Sequence, residues 1–193
     1  HIVDEYSFSS IEQSLSDREV QLIKRVDQVF IHSPALLERK GQFNPQTCFV
    51  PNGVDYRAFA TPQAEPADLH GIPHPRIGYV GIIKAQLDFR VLLDLAIHHS
   101  EWSFVFVGPK GKLGTDVTLV DQLSKLRNVH FLGHKPREIA CAYPQHMDVC
   151  LLPYKVNDYT KYIYPLKLHE YLAGGKPIVG TSIRSLLDFA HVI

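Results

Sequence analysis

Residues 76–109, RIGYVGIIKAQLDFRVLLDLAIHHSEWSFVFVGP, decide the fold of this chain. The apolar run 76–81 has the character of a β-strand and ends in glycine. Asp88 to His98 then places apolar residues at helical spacing, which predicts an amphipathic helix. Residues 102–107 are a second, nearly continuous apolar strand, and Gly108-Pro109 ends it. Two strands that are apolar on both faces and joined by a helix predict a parallel pair covered on both sides.

The same alternation continues toward the C-terminus. The patterns predict helices over 117–126, 137–143, 166–173 and 185–190, and strands over 129–132, 148–152 and 177–180. Right-handed crossovers between these strands give a doubly wound, Rossmann-like α/β domain. Ligands bind such sheets at the carboxyl ends of the strands, where the glycines and prolines at 81, 108–109, 133 and 153 are expected.

The first 60 residues predict a separate set of helices and strands. A helix capped by Ser9 or Ser10, a strand over 27–31, a helix that opens at Ser33-Pro34 and a strand over 47–50 are predicted. Residues 61–75 hold four prolines and little apolar periodicity, which indicates an interdomain linker. The predicted domains are therefore 1–60 and 76–193, with 61–75 between them.

Composition and charge exclude several classes of protein. The 193 residues include 20 Lys and Arg, 20 Asp and Glu, and no net charge, which argues against a nucleic-acid partner. No apolar run approaches the roughly 18 residues that cross a bilayer. The three widely spaced cysteines, Cys48, Cys141 and Cys150, match no metal motif, and the 11 histidines do not cluster. We expect no metal, no cofactor and a reducing compartment such as the cytosol.

The two ends of the chain are apolar. It begins at His1 with an apolar pair behind it and stops at Ile193. No basic start precedes an apolar core, so no signal peptide is expected. We expect the chain to be a fragment of a longer protein.

Residues 165–177, PLKLHEYLAGGKP, contain the most informative chemistry. Pro165 fits the start of a helix, whose free N–H groups and dipole attract an anion. Lys167 adds a full charge in the first turn. Glu170 is three residues further on, shares that face, and could accept hydrogen bonds from the vicinal hydroxyls of a ribose. The segment predicts a diphosphate at the helix tip with a ribose beside it. The alternative is a solvent-exposed pair worth a few tenths of a kcal/mol.

Three segments together resemble the GT-B glycosyltransferases, specifically glycosyltransferase family 4, also called group 1. Residues 165–179, PLKLHEYLAGGKPIV, are similar to the donor-site signature of that family. Residues 50–55, VPNGVD, are similar to the stretch that leads from its N-terminal into its C-terminal domain. Phe131-Leu132-Gly133 and residues 148–154, DVCLLPY, are similar to a pair of its strands.

The resemblance implies a two-domain enzyme with two Rossmann-like halves. Residues 1–60 would end the acceptor-side domain, and 76–193 would be most of the nucleotide-sugar domain. Such an enzyme moves a sugar from a nucleotide diphosphate sugar to a carbohydrate or lipid-linked acceptor, as in polysaccharide biosynthesis, with retention at the anomeric carbon and without a metal. It would be cytoplasmic, with peripheral contact at the inner membrane face left open. As a fragment, this chain is expected to be inactive.

The resemblance also implies roles for individual residues. Glu170 would hold the donor ribose. Lys167, with the backbone at Leu166 and Leu168, would lie against the diphosphate. Gly81 would let the chain pass close to the phosphates, because glycine permits that approach.

Two loops complete the expected donor site. Gly133, His134 and Lys135 match the loop that borders the base in the family. Thr160, with Asn157 and Tyr159, lies in a loop at the carboxyl end of a strand. That position suggests a further donor contact, and a plain loop surface is the alternative.

The chain departs from the family pattern at two places. Tyr162 occupies the position of a second glutamate near the transferred sugar. Ile82 and Leu87 stand near the places of an arginine and a lysine after Gly81. Lys84 is the nearby cation, so Lys84 and Lys167 are the predicted catalytic charges on the leaving diphosphate, with Lys161 as the alternative to Lys84.

Other functions and residues stay open at this point. A sugar-nucleotide epimerase of the same architecture, or a non-catalytic nucleotide-sugar-binding relative, would carry the same motifs. A nicotinamide-binding domain is disfavoured because no G-x-G-x-x-G follows the strand at 76–81. Asp4 and Glu5 could face a cleft as catalytic carboxylates, or could be solvated.

Overall fold

The computed structural model describes residues 1–3 and 15–193, which divide into two compact units. Unit 1 comprises the described part of residues 1–53 together with 156–165 and 182–192. Unit 2 comprises residues 54–155 and 166–181, with Ile193. Asp4, Glu5 and the predicted cap at Ser9 or Ser10 lie outside the described residues.

Helices and strands alternate along the described chain, as predicted. In chain order they are α1 (Asp17–Arg25), β1 (Val29–Ile31), α2 (Pro34–Lys40), β2 (Thr47–Phe49), α3 (Tyr56–Ala60), β3 (Arg76–Val80), α4 (Phe89–His98), β4 (Ser103–Val107), α5 (Val117–Leu123), β5 (Val129–Gly133), α6 (Arg137–Ala140), β6 (Val149–Leu152), α7 (Leu166–Ala173), β7 (Ile178–Gly180) and α8 (Arg184–Leu187).

Unit 1 contains a parallel pair of strands, β1 and β2. The side chain of Ser16 accepts the Glu19 N–H at 3.2 Å and caps α1. The Ser33 side chain caps α2 and Pro34 is its first residue, as the sequence predicts. A core of buried side chains joins these elements: Ile23, Val29, Ile31, Ala35, Leu36 and Tyr162.

Unit 2 is built on one five-stranded parallel sheet in the order β5-β4-β3-β6-β7. Every residue of β4 is buried, which is why its sequence is a continuous apolar run. The chain leaves β3 toward β4 on one side and returns to β6 on the other. The strand order therefore reverses between β3 and β6, and sheets of this kind open a crevice at that point.

Residues 61–75 fold within unit 2. Leu69 is fully buried and Ile72 nearly so. The buried Arg76 guanidinium donates to the carbonyl oxygens of Ile72 at 2.8 Å and Leu69 at 2.7 Å, and it pairs with Glu65. Buried donors need such partners, so these bonds tie the proline-rich stretch to the start of β3. Its role as an interdomain linker stays a prediction.

The element boundaries differ from the sequence patterns in a few places. Helix α7 spans the predicted residues, whereas α5 ends at Leu123 and α6 at Ala140. Helix α3 was not predicted from its five residues, although Asp55 caps it by accepting the Ala58 N–H at 3.2 Å. No helix of the described residues combines the length and apolar character that crossing a membrane requires.

Candidate functional site

A cavity of about 410 Å³ lies within unit 2, at the end of β3 beside the reversal of strand order. Residues from the end of β3, the loop after β5, and helices α3, α6 and α7 line it. They are Phe59, Val80, Gly81, His134, Lys135, Arg137, Ala140, Cys141, Leu166, Lys167 and Glu170. Six of the ten predicted site residues are among them. A doubly wound sheet places a ligand at this position.

Gly81 and Lys167 fit against each other in the lining of this cavity. A Cβ placed on Gly81 would overlap the Lys167 Cε and would lie 2.5 Å from its Nζ. The φ of Gly81 is +152°, a conformation that side-chain-bearing residues rarely adopt. Glycine is needed here because the lysine side chain occupies the space that a side chain would fill.

Tyrosine hydroxyls position the end of β3. The hydroxyl of Tyr171, on α7, accepts the Val80 N–H at 2.9 Å. The hydroxyl of Tyr79 donates to the Ile82 carbonyl oxygen at 3.2 Å. These bonds hold Gly81 between a fixed strand end and a fixed turn, next to α7. Tyr171, the tyrosine of the 165–177 motif, therefore joins α7 to the end of β3.

Lys167 is partly buried, and this burial disfavours its charged form. Burial lowers the pKa of the Lys167 ammonium, the charge of Glu170 raises it, and nearby Lys84 lowers it. The Nζ lies 5.6 Å from the centroid of the Tyr79 ring. An incoming anion would favour the charged form of the Lys167 side chain.

Glu170 shares the cavity wall with Lys167. Burial raises the pKa of the Glu170 carboxyl, while the charges of Lys167 and Arg137 lower it. Lys167 and Glu170 form no ion pair within 4.0 Å in the described structure. The arrangement differs from a solvent-exposed i,i+3 pair because both groups face a shared, partly enclosed space.

The loop after β5 borders the other side of the cavity. The carbonyl oxygen of Gly133 accepts the Gly108 N–H at 2.8 Å, and Gly133 has a φ of +71°. His134 follows as an exposed residue. Lys135 pairs with Asp68 at 2.7 Å, and Asp68 also accepts the Tyr143 hydroxyl at 2.8 Å. The Lys135 ammonium is therefore already held by a carboxylate.

The start of α7 contributes backbone as well as side chains. Leu166 is exposed and lines the cavity. Leu168 is fully buried and does not line the cavity, so its backbone contact with the diphosphate stays a prediction. A helix leaves its first N–H groups without helical partners, and these would add partial positive charge beside Lys167.

Four predicted site residues do not line the cavity: Gly133 and Leu168, described above, and Lys84 and Thr160. Lys84 is partly buried and its charge acts on Lys167. Thr160 belongs to unit 1 and is fully buried. Its N–H donates to the Asn157 Oδ1 at 2.9 Å, and its hydroxyl oxygen accepts the Asn157 N–H at 3.0 Å. Such a closed turn orders the loop, and donor contact by Thr160 stays a prediction.

Lys161, the predicted alternative to Lys84, and Tyr162, which stands where the family has a glutamate, also lie in unit 1. Lys161 pairs with Asp158 at 3.0 Å. Tyr162 packs in the unit 1 core, and its hydroxyl accepts the Arg39 guanidinium at 2.8 Å. Its phenol is bound as a structural group in that core.

Sequence reasoning missed five residues that line the cavity: Phe59, Val80, Arg137, Ala140 and Cys141. Arg137 is exposed at the start of α6, Phe59 comes from α3, and Cys141 follows α6. Arg137 was visible only as a basic residue after a proline, and nothing in its spacing pointed to α7. Among the described residues no three His, Cys, Asp or Glu side chains are grouped as a metal site would need.

Comparison with known proteins identifies the family. The sequence profile described as glycosyl transferases group 1 matches residues 74–191, more than half of the chain. The chain belongs to the group 1 glycosyl transferases. The resemblance inferred from the motifs is thereby confirmed, and the matched range includes β3 to α8 and the helix that carries Lys167 and Glu170.

A curated relative of this group 1 chain is TuaH of Bacillus subtilis (strain 168), provisionally named a teichuronic acid biosynthesis glycosyltransferase. It is 34% identical over 180 residues, which cover 89% of this chain and 44% of TuaH. This chain thus spans less than half of the length of that relative.

Solved structures of low sequence identity share the fold. The catalytic domain of starch synthase IV from Arabidopsis thaliana, bound to ADP and acarbose, is similar with a TM-score of 0.63 at 13% identity, over 88% of this chain and 42% of that one. TarM of S. aureus is similar with a TM-score of 0.62 at 16% identity, over 98% of this chain and 37% of that one. The predicted fold class, α/β of GT-B type with a Rossmann-like parallel sheet, is confirmed.

Proposed function

We propose that this chain carries the donor-binding half of a retaining, metal-independent glycosyltransferase. It would move a sugar from a nucleotide diphosphate sugar to a carbohydrate or lipid-linked acceptor. One observation carries the proposal: Lys167 lies against Gly81 at the start of α7, with Glu170 one turn further along the same cavity. That is a cation, a helix start and a carboxylate in the order that a diphosphate and its ribose require.

The chemistry assigned to each group follows from its charge. As the bond from the sugar to the diphosphate breaks, negative charge builds on the leaving oxygen. The Lys167 ammonium and the first N–H groups of α7 would stabilise that charge at fixed positions. Glu170 accepts hydrogen bonds and would orient the nucleotide through the ribose hydroxyls. Lys84 would add a second, more distant positive charge.

The charges of the cavity support metal independence, and the family resemblance supports retention at the anomeric carbon. The positive groups of the cavity can offset the charge of a diphosphate, which is the part that a divalent cation plays at other sites. Retention is supported by the resemblance to family 4. Full activity in EDTA, and a product with the donor's anomeric configuration by NMR, are the expected results.

The cysteines support the proposed compartment, and the name of a relative supports the proposed acceptor. The three cysteines are free thiols, and burial raises the pKa of Cys150 to about 12, so that thiol stays protonated. Free thiols support a cytoplasmic setting. TuaH is named for teichuronic acid biosynthesis, which supports a polysaccharide as the acceptor. A lipid-linked acceptor at the inner membrane face is proposed from the resemblance to family 4.

The decisive test is nucleotide binding to the full-length protein by calorimetry, with UDP, GDP, ADP and NAD as probes. One nucleoside diphosphate should bind, and NAD should not. Glu170→Gln and Lys167→Met should each weaken that binding by about 10- to 100-fold, because each removes a hydrogen bond to a charged group.

Matched controls are available on the surface of unit 2. Glu101→Gln and Lys125→Met change exposed residues away from the cavity and should leave affinity unchanged. Unaltered affinity in both cavity variants, with folding intact by circular dichroism, would remove the proposed site. Epimer formation from a nucleotide sugar, without release of free nucleotide to an acceptor, would instead establish an epimerase.

A further inference from the structure

We propose that Arg137 binds the donor diphosphate and supplies, beside Lys167, a second direct cationic contact from the cavity lining, where the loop after β3 provides none. The inference deepens the proposed function and rests on it. Arg137 lies on a different element, at the start of α6, and reaches the same cavity as Lys167 and Glu170.

The loop after β3 is poor in positive charge. Ile82 follows Gly81 and is 50% exposed, and Leu87 is fully buried. Neither can offset an anion. Lys84 is the lysine of this loop, and it lies outside the cavity lining. A diphosphate beside Gly81 would therefore meet one lysine of the lining, Lys167, on the side of β3 and α7.

The other lysine of the lining is already occupied. Lys135 pairs with Asp68 at 2.7 Å, and its ammonium also lies 5.9 Å from the Tyr143 ring centroid. Asp68 in turn accepts the Tyr143 hydroxyl, so the lysine is held from two sides. Turning it toward a ligand would leave Asp68 without its cation.

Arg137 is the cation of the lining that is exposed and without an ion-pair partner within 4.0 Å in the described part of the chain. Its charge nevertheless acts on the Glu170 carboxyl and lowers the pKa of that group. Arg137 and Glu170 therefore line one cavity without forming a direct ion pair. The guanidinium is free to turn to an anion that enters between them.

Guanidinium chemistry suits this part. Its planar fork can donate two parallel hydrogen bonds to phosphate oxygens, and it keeps its charge at any physiological pH. Burial lowers the pKa of Lys167, so its positive charge depends more on pH than that of an exposed lysine. Arg137 would give the diphosphate a second positive charge that does not depend on pH. Arg137 on one side and Lys167 with the start of α7 on the other would then hold the diphosphate between them.

The test compares ligands that differ only in phosphate. In the full-length protein, the affinities of UDP and uridine are measured by calorimetry, or of GDP and guanosine if GDP is the nucleotide that binds. Arg137→Ala should weaken the diphosphate by about 10- to 100-fold and change the nucleoside less than about threefold. Arg137→Lys should recover part of the loss, since it keeps the charge but not the fork.

Arg127→Ala is the matched control, because Arg127 is exposed, lies in unit 2 and is outside the cavity lining. Equal losses for diphosphate and nucleoside in Arg137→Ala, or no loss for either, would overturn the inference. The two proposals fail separately. If Lys167→Met and Glu170→Gln weaken the nucleotide while Arg137→Ala does not, the donor site stands and the role of Arg137 falls. If none of the three matters, the donor site itself is wrong.

Discussion

Gly81 shows how a single residue shapes the cavity. Its missing side chain leaves room for the Lys167 side chain, and its φ of +152° suits glycine. Gly81→Ala should therefore displace the ammonium and strain the backbone. We expect nucleoside diphosphate affinity to fall at least about tenfold, with a loss of roughly 1–3 kcal/mol in the free energy of unfolding.

Calorimetry and urea denaturation measure the two effects of Gly81→Ala. Gly71→Ala is the control, because no atom lies within 4 Å of a Cβ at Gly71 and its φ is not in the left-handed region. If Gly81→Ala binds the nucleoside diphosphate as tightly as the wild type, the observed position of Lys167 is not required for binding.

Glu170 gives the site a dependence on pH at the residue scale. Burial raises the pKa of its carboxyl, so protonation begins at a higher pH than for an exposed glutamate. The protonated form is a weaker acceptor for ribose hydroxyls. Affinity for the nucleoside should therefore fall as pH decreases through the raised pKa.

The nucleoside is the right probe for that pH effect, since it lacks the phosphates that titrate themselves. The ratio of wild-type to Glu170→Gln affinity should decline toward one as the pH falls from neutrality through the raised pKa of the Glu170 carboxyl. A ratio that stays constant over that range would contradict the role given to the Glu170 carboxylate.

At the scale of elements, Arg76 fastens the proline-rich stretch to the sheet. Its buried guanidinium serves two carbonyl oxygens and Glu65. Arg76→Met keeps much of the volume but leaves these acceptors without a donor. The free energy of unfolding should fall by about 1–3 kcal/mol, the cost of leaving a buried acceptor without its donor.

Chemical denaturation of Arg76→Met and of Arg90→Met measures this contribution. Arg90 is exposed on α4, so its substitution should change stability by less than about 0.5 kcal/mol. Equal stability of the two variants would mean that residues 61–75 are not fastened by Arg76 and act as a looser connection.

At the scale of the whole molecule, binding should stabilise the unit that holds the cavity. The chain has one tryptophan, Trp102, which lies in unit 2 and stacks on His99 with ring centroids 3.9 Å apart. Its fluorescence can therefore follow the unfolding of unit 2. A nucleoside diphosphate at 100 times its Kd should add about 2.7 kcal/mol to the free energy of unfolding.

The Glu170→Gln variant supplies the comparison for that experiment. At the same nucleotide concentration, the unfolding transition that Trp102 reports should shift much less in this variant than in the wild type, because its Kd is larger. An equal shift in both proteins would mean that the ligand binds elsewhere in unit 2.

Local patterns determined much of this protein. The apolar runs of β3 and β4, the glycine after β3 and the helix from Leu166 to Ala173 could be inferred from sequence, because burial and backbone geometry act over a few residues. The motif around Lys167 and Glu170 pointed to the family, which the profile match confirmed. These features depend on neighbours along the chain.

Only the tertiary structure decided which groups meet at the cavity. It brought Arg137 and Glu170 to one cavity, paired Lys135 with Asp68, and tied α7 to β3 through the Tyr171 hydroxyl. It also assigned residues 61–75 to unit 2 and Thr160 to unit 1. Such contacts join residues that are tens of positions apart, and they arise from the order in which parallel strands assemble, which no local periodicity encodes.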